Sequence, residues 1–177
     1  MLTKDEAFSF LEEHQPMPKD DELKESGIKK YEEVRKYFLD NPDEKCLPLF
    51  LNSFGGKDGL GVYQVVEDVI LMYDGEIVLP HILKALDSTY EGVKYWGIQI
   101  SSNFPSECLF NPLVNLLKLK DEDIKSATIT AIAQLALNNI KKEEVINILE
   151  KECKRISDED IKELAEEVLL DIQNSTL

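Results

Sequence analysis

A chain of 177 residues, 43% hydrophobic and 31% charged, is long enough to bury the core of one domain and is neither disordered nor built for a bilayer. Lys and Arg number 20 against 35 Asp and Glu, giving a net charge of −15 and a pI near 4.5. Such acidity repels nucleic-acid phosphates and anionic lipid and steers basic partners inward, so no nucleic acid and no membrane is expected as a ligand. The same acidity serves plain solubility, and both readings stand at this point.

The first element announces itself through a capping box, Thr3-x-x-Glu6, ahead of Ala7, Phe8, Phe10 and Leu11. No basic stretch leads an apolar one there, so no secretory signal is expected. Pro16 and Pro18 end that helix, and a polar stretch runs to Glu25. A second helix is predicted from about Gly27 to Leu39, with Ile28, Tyr31, Val34 and Phe38 on one face, closed by Asn41-Pro42. Helices then alternate with short turns to the end, and no strand-like alternation of any length occurs.

Internal repetition decides the fold class. Gly61-Val62-Tyr63-Gln64-Val65-Val66-Glu67-Asp68-Val69 aligns with Gly92-Val93-Lys94-Tyr95-Trp96-Gly97-Ile98-Gln99-Ile100, a shift of 92 − 61 = 31. The same shift carries Val93, Ile100 and Phe104 onto Ile124, Ala131 and Leu135. An apolar ladder results: Val62/Val93/Ile124, Val65/Trp96/Ala127, Val69/Ile100/Ala131 and Tyr73/Phe104/Leu135. Leu47-Pro48, Leu79-Pro80 and Asn111-Pro112 recur at 32 and place a proline near the start of each preceding helix, where the missing N–H is harmless. A less regular hairpin, 142–156, leads through Ser157 and Asp160 as a cap-like start into a last helix, to Ile172, with an acidic outer face. The expected class is all-α, an α-α superhelix of stacked helical hairpins in one domain, 1–177. Residues 1–41 are its N-terminal capping helices, 42–140 three regular hairpins and 141–177 a C-terminal capping hairpin.

Paired helices at a period near 31, with an early proline in the first and a Val/Ile ladder in the second, resemble HEAT repeats, an ARM-like α-solenoid family. His14-Gln15-Pro16, Leu47 to Gly55, Gly61 to Val69 and Lys94 to Ile100 are similar to short bacterial stand-alone HEAT proteins, several of which act as immunity proteins against toxins. The resemblance implies a protein-binding module whose second helices line a concave surface. Gln64/Tyr95/Ser126 and Asp68/Gln99/Thr130 would form rows there, flanked by Glu67 and Lys94. Tyr63, Gln64, Glu67, Asp68, Lys94, Tyr95 and Gln99 are therefore the candidate partner-binding residues, against the plainer possibility of a solvated helix face. The expected partner is a basic protein, most sharply a bacterial toxin domain; a general cytosolic adaptor is the alternative.

No catalytic residue is expected. Ser-His-Asp sets, G-x-S-x-G and H-E-x-x-H are absent from the sequence. Glu67 and Asp68 are adjacent, hence about 100° apart on a helix, a poor acid–base pair. Gly55-Gly56-Lys57-Asp58-Gly59-Leu60-Gly61 carries Asp58 where a phosphate loop needs Ser or Thr, and it reads as a flexible turn. Enzymes on HEAT-like frames, alkyl-base DNA glycosylases and bilin lyases, are the remaining class. A glycosylase needs a basic groove, the opposite of this charge. Trp96, the only tryptophan, falls on the ladder and is expected in the core. His14 and His81 lie apart from any metal-ligand spacing, so no metal and no cofactor is expected. Cys46, Cys108 and Cys153 are widely spaced and read as small buried hydrophobes; with reduced thiols, a monomer in the cytoplasm is expected.

Overall fold

The computed structural model describes residues 2–175. Among these there are ten α-helices and three short 3-10 turns, and no β-strand. The chain divides into two compact units, one ending at Gly97 and the other starting at Ile98. No helix among the described residues is long and apolar enough to cross a membrane.

In the first unit, α1 (Lys4–Glu13) starts at the expected box: Thr3 Oγ1 accepts from the Glu6 amide, and Glu6 accepts from the Thr3 amide at 2.8 Å. The α2 helix (Glu25–Asp40) turns Tyr31, Val34, Arg35 and Phe38 inward. A short α3 (Cys46–Leu51) packs on α1 and on α5 (Gly75–Leu86). Pro48 lies in the first turn of α3, but Pro80 lies deeper, in the second turn of α5. Pro80 is exposed, so water can serve the Glu76 carbonyl that its missing N–H deserts.

The helix expected after the glycine-rich loop is broken. Gly59–Gly61 and Tyr63–Val66 form 3-10 turns, and only Glu67–Ile70, α4, is α-helical. Its repeat equivalent, α6 (Glu91–Ser101), is continuous.

Aromatic rings bind this unit together. Centroid distances of 5.0 to 5.9 Å link Phe8 to Phe38, Phe38 to Phe50, Phe50 to Tyr31, Tyr31 to Tyr63, Tyr63 to Phe54 and Phe54 to Trp96. All but the last are edge-on, the arrangement the ring quadrupole favours. Ser53 Oγ donates to the Phe50 carbonyl at 2.7 Å, so the buried Tyr31 hydroxyl is left to donate to Ser53 Oγ. Burial then drives the Tyr31 phenol well above its ordinary pKa.

In the second unit α8 (Glu122–Leu137) is central, packed by α7 (Phe110–Leu116), α9 (Lys142–Cys153) and α10 (Glu159–Asn174). Its alanines, Ala127, Ala131, Ala133 and Ala136, are all buried, and small side chains let neighbouring helices come close. Asp121 caps it, accepting from the Ile124 amide at 2.8 Å. For α10 the cap is Asp158 rather than Ser157, accepting from the Ile161 amide at 3.0 Å. A carboxylate is the stronger partner for the positive end of a helix. The outer face of α10 is acidic, with Glu159, Asp160, Glu163, Glu166, Glu167 and Asp171 exposed.

Several ladder assignments need correction. Val62, Val69, Val93, Ile100, Ile124, Ala127, Ala131 and Leu135 are buried, but Val65 is 37% exposed and Phe104 and Tyr73 are half-buried. Of the cysteines only Cys46 is buried; Cys153 is half-buried and Cys108 exposed. Cys46 sits beside the Tyr73 hydroxyl, and burial pushes its thiol up to about 12.

Candidate docking face

The candidate face is built on the loop and broken helix that follow α3. Gly59, Leu60 and Gly61 have φ of +57°, +52° and +82°, three successive left-handed residues. Leu60 pays for that conformation with strain, since its Cβ crowds the carbonyl that follows. What holds the loop is Asp20: its Oδ1 accepts from the Gly59 amide at 2.8 Å and its Oδ2 from the Asp58 amide at 3.1 Å. Gly56 presses against the same carboxylate, and a Cβ on Gly92 would lie 2.8 Å from the Gly56 and Phe54 backbones. The loop read as a flexible turn is thus clamped.

Beyond the loop, α2 grips the chain through Arg35, only 8% exposed. Its Nε and Nη2 donate to the two oxygens of Glu32 at 2.7 and 2.9 Å. Its Nη1 donates to the Val65 carbonyl and to Asp68, each at 3.3 Å. The Glu32 carboxyl is held below its ordinary pKa, first by the Arg35 bonds and then by Lys36.

With backbone and inner face held, the outer face is single. Gly61, Gln64, Val65, Asp68, Leu71 and Met72 are exposed in sequence steps of three and four, while Val62, Tyr63, Val66, Val69 and Ile70 are buried. Leu60, 59% exposed, stands at its N-terminal end.

The expected site residues divide accordingly. Gln64 and Asp68 are on this face. Glu67, Lys94, Tyr95 and Gln99 are half-buried; Glu67, Tyr95 and Gln99 already have intramolecular partners. Tyr63 is a correction. It is fully buried among Tyr31, Phe54 and Trp96, its hydroxyl accepts from the Gly55 amide at 3.1 Å, and burial pushes its pKa up to about 12. Ser126 and Thr130 belong to the second unit, and each returns its hydroxyl to a carbonyl of its own helix. Repeat alignment missed Leu60, Val65, Leu71 and Met72. The paired glycines around Leu60 were the available signal that the chain turns left-handed there.

Trp96 is in the core, stacked on Phe54, as its ladder position predicts. Among the described residues no group of three His, Cys, Asp or Glu side chains could hold a metal ion. No family model and no curated protein matches the chain. Among solved structures it is similar to a designed armadillo repeat protein in complex with a (KR)4 peptide, at 16% identity and a TM-score of 0.44, covering 97% of this chain and 77% of that one.

Proposed function

We propose that this protein is a binding module that captures a basic protein partner, and that the face from Leu60 to Met72 is where the partner docks. The observation that carries this reading is the composition of that face. Exposed Leu60, Val65, Leu71 and Met72 surround Gln64 and Asp68 on a backbone clamped by Asp20 and Arg35. Apolar area supplies affinity at an interface, and preorganisation reduces the entropy lost on docking. A net charge of −15 raises the encounter rate with a cation and discourages acidic competitors. Lys94 and Tyr95, in the same unit, would extend the contact if the partner reaches the first turns of α6.

The sharper form of the proposal is an immunity protein that neutralises a basic toxin domain, acting by occlusion rather than catalysis. The alternative, a general adaptor, differs in the partner and not in the chemistry of the face. The test is binding kinetics against a basic toxin domain, chosen from any that is encoded beside the gene, at two salt concentrations. Association is expected to slow with salt, and Leu71→Asp with Met72→Asp to weaken binding at least tenfold, roughly, as for central apolar contacts. Unchanged affinity in that double variant would remove the face from the interface.

A further inference from the structure

Of the two histidines in the chain, His81 is held so that its charge state matters to the packing around it. It lies on α5 and lines a half-open trough of about 310 Å³ between α5 and α3. Its Nδ1 is buried, closed to water and without a hydrogen-bond partner among the described residues. As a bare lone pair that atom is tolerable; as an N–H it would be a buried donor with nothing to donate to, the costlier state. The neutral ring avoids that state by keeping its proton on Nε2. The imidazolium cannot, because both of its nitrogens carry hydrogen.

The surrounding wall offers the new donor no acceptor. Gln15 Oε1 accepts from Asn52 at 3.2 Å and Gln15 Nε2 donates to the Leu49 carbonyl at 2.9 Å, while Pro48, Leu51 and Ala85 bring apolar side chains. Two charged groups face the ring. Lys84, one turn on along α5, repels a second cation, and Glu44, before α3, attracts it more weakly. Burial first, then Lys84, accordingly hold the His81 pKa below its ordinary 6.5. His14 is built the other way: its Nδ1 lies 2.7 Å from the Phe10 carbonyl, an acceptor already in place for a protonated ring.

We propose that His81 is an acid-sensitive catch between α3 and α5, closed while the ring is neutral and released when the ring takes a second proton. Parting of the two helices lets water reach the new N–H. Because α3 runs directly into the loop that Asp20 clamps, release at its C-terminal end extends to residues 52–61. A histidine whose folded pKa is depressed contributes fully above its unfolded value of 6.5, and the contribution is lost as pH falls through the lower folded value. That window is mild acid, in which most Asp and Glu side chains stay ionised.

Two measurements on the full-length protein test the catch. NMR of the histidine ring carbons, with His81→Phe to assign the two rings, gives the His81 titration, expected below 6.5. Amide hydrogen exchange is then compared between the parent chain and His81→Phe at pH 7 and at pH 5, so that the intrinsic pH dependence of exchange cancels. On going to pH 5, exchange in residues 46–61 and 75–86 should rise in the parent relative to the variant by roughly threefold or more, with residues 122–137 unchanged. Should the phenyl ring disturb the fold, His81→Gln, which takes no charge, replaces it. A His81 titration at or above 6.5, or a parent-to-variant exchange ratio that is the same at both pH values, would overturn the proposal.

Discussion

Arg35 and Asp68 meet at 3.3 Å, joining α2 to the broken helix from a guanidinium that is nearly buried to a carboxylate that is 62% exposed. The two ends of this pair are unequal. Arg35→Ala removes the bond to the Val65 carbonyl, the packing of the stem and both bonds to Glu32, and is expected to cost about 2–3 kcal/mol in urea denaturation. Asp68→Asn removes only a screened partner and should change stability by less than about 0.5 kcal/mol. Its effect should fall on the rate of partner association instead.

The same network sets a pH dependence. Glu32 has a folded pKa depressed below 4.5 by Arg35. Its contribution is therefore present above the unfolded value, near 4.5, and is lost as pH falls through the folded one. Comparing denaturation of the parent chain and Arg35→Met between pH 7 and pH 3 should show the difference between them narrowing at the acid end. A constant difference would mean that Glu32 is not coupled to Arg35.

Leu60→Gly is expected to separate stability from binding. Relief of the left-handed Leu is worth about 1–2 kcal/mol, offset by roughly 0.5–1 kcal/mol of glycine entropy in the unfolded chain. Because Leu60 is exposed, little burial is lost, and the free protein should be slightly more stable. Partner affinity should drop. Thermal denaturation and the binding assay together give the two signs.

Removing the loop clamp by Asp20→Ala deserts the amides of Asp58 and Gly59. A loss of about 1–2 kcal/mol is expected, with faster hydrogen exchange confined to the residues around 56–61. Exchange that stays unchanged would show that Gly92 and Tyr63 hold the loop without the carboxylate.

Ile100→Ala tests the ladder itself. Ile100 is 1% exposed, and truncation should destabilise by about 2–5 kcal/mol. A loss below about 0.5 kcal/mol would mean that the ladder does not report the core.

The net charge makes a separate expectation about ligands. Duplex DNA should not shift in a gel with micromolar protein at physiological salt, since 35 acidic side chains oppose 20 basic ones. A salt-sensitive shift would return the glycosylase reading to consideration.

The all-helical character, the Thr3 box and the breaks after α1 and α2 were legible in sequence because each depends on residues within one or two turns. The 31-residue ladder was legible because helical periodicity survives whatever packs against it, and most of its rungs are buried. The face of the segment from Gly61 to Tyr73 was decided only by tertiary structure. By repeat, Val65 matched Trp96 and belonged inside, while Tyr63 matched Lys94 and belonged outside. Tyr31 from α2 and Phe54 after α3, distant in sequence, instead make an aromatic site that Tyr63 fills, with its hydroxyl bonded to the Gly55 amide. A tyrosine buries far more surface than a valine, so the ring takes the interior and Val65 faces water. Asp20 acts the same way on the loop: the glycines permit its left-handed turn, but a carboxylate nearly forty residues earlier holds it in place. Local chemistry determined the helices of this protein, and contacts between distant segments determined which of their residues a partner can reach.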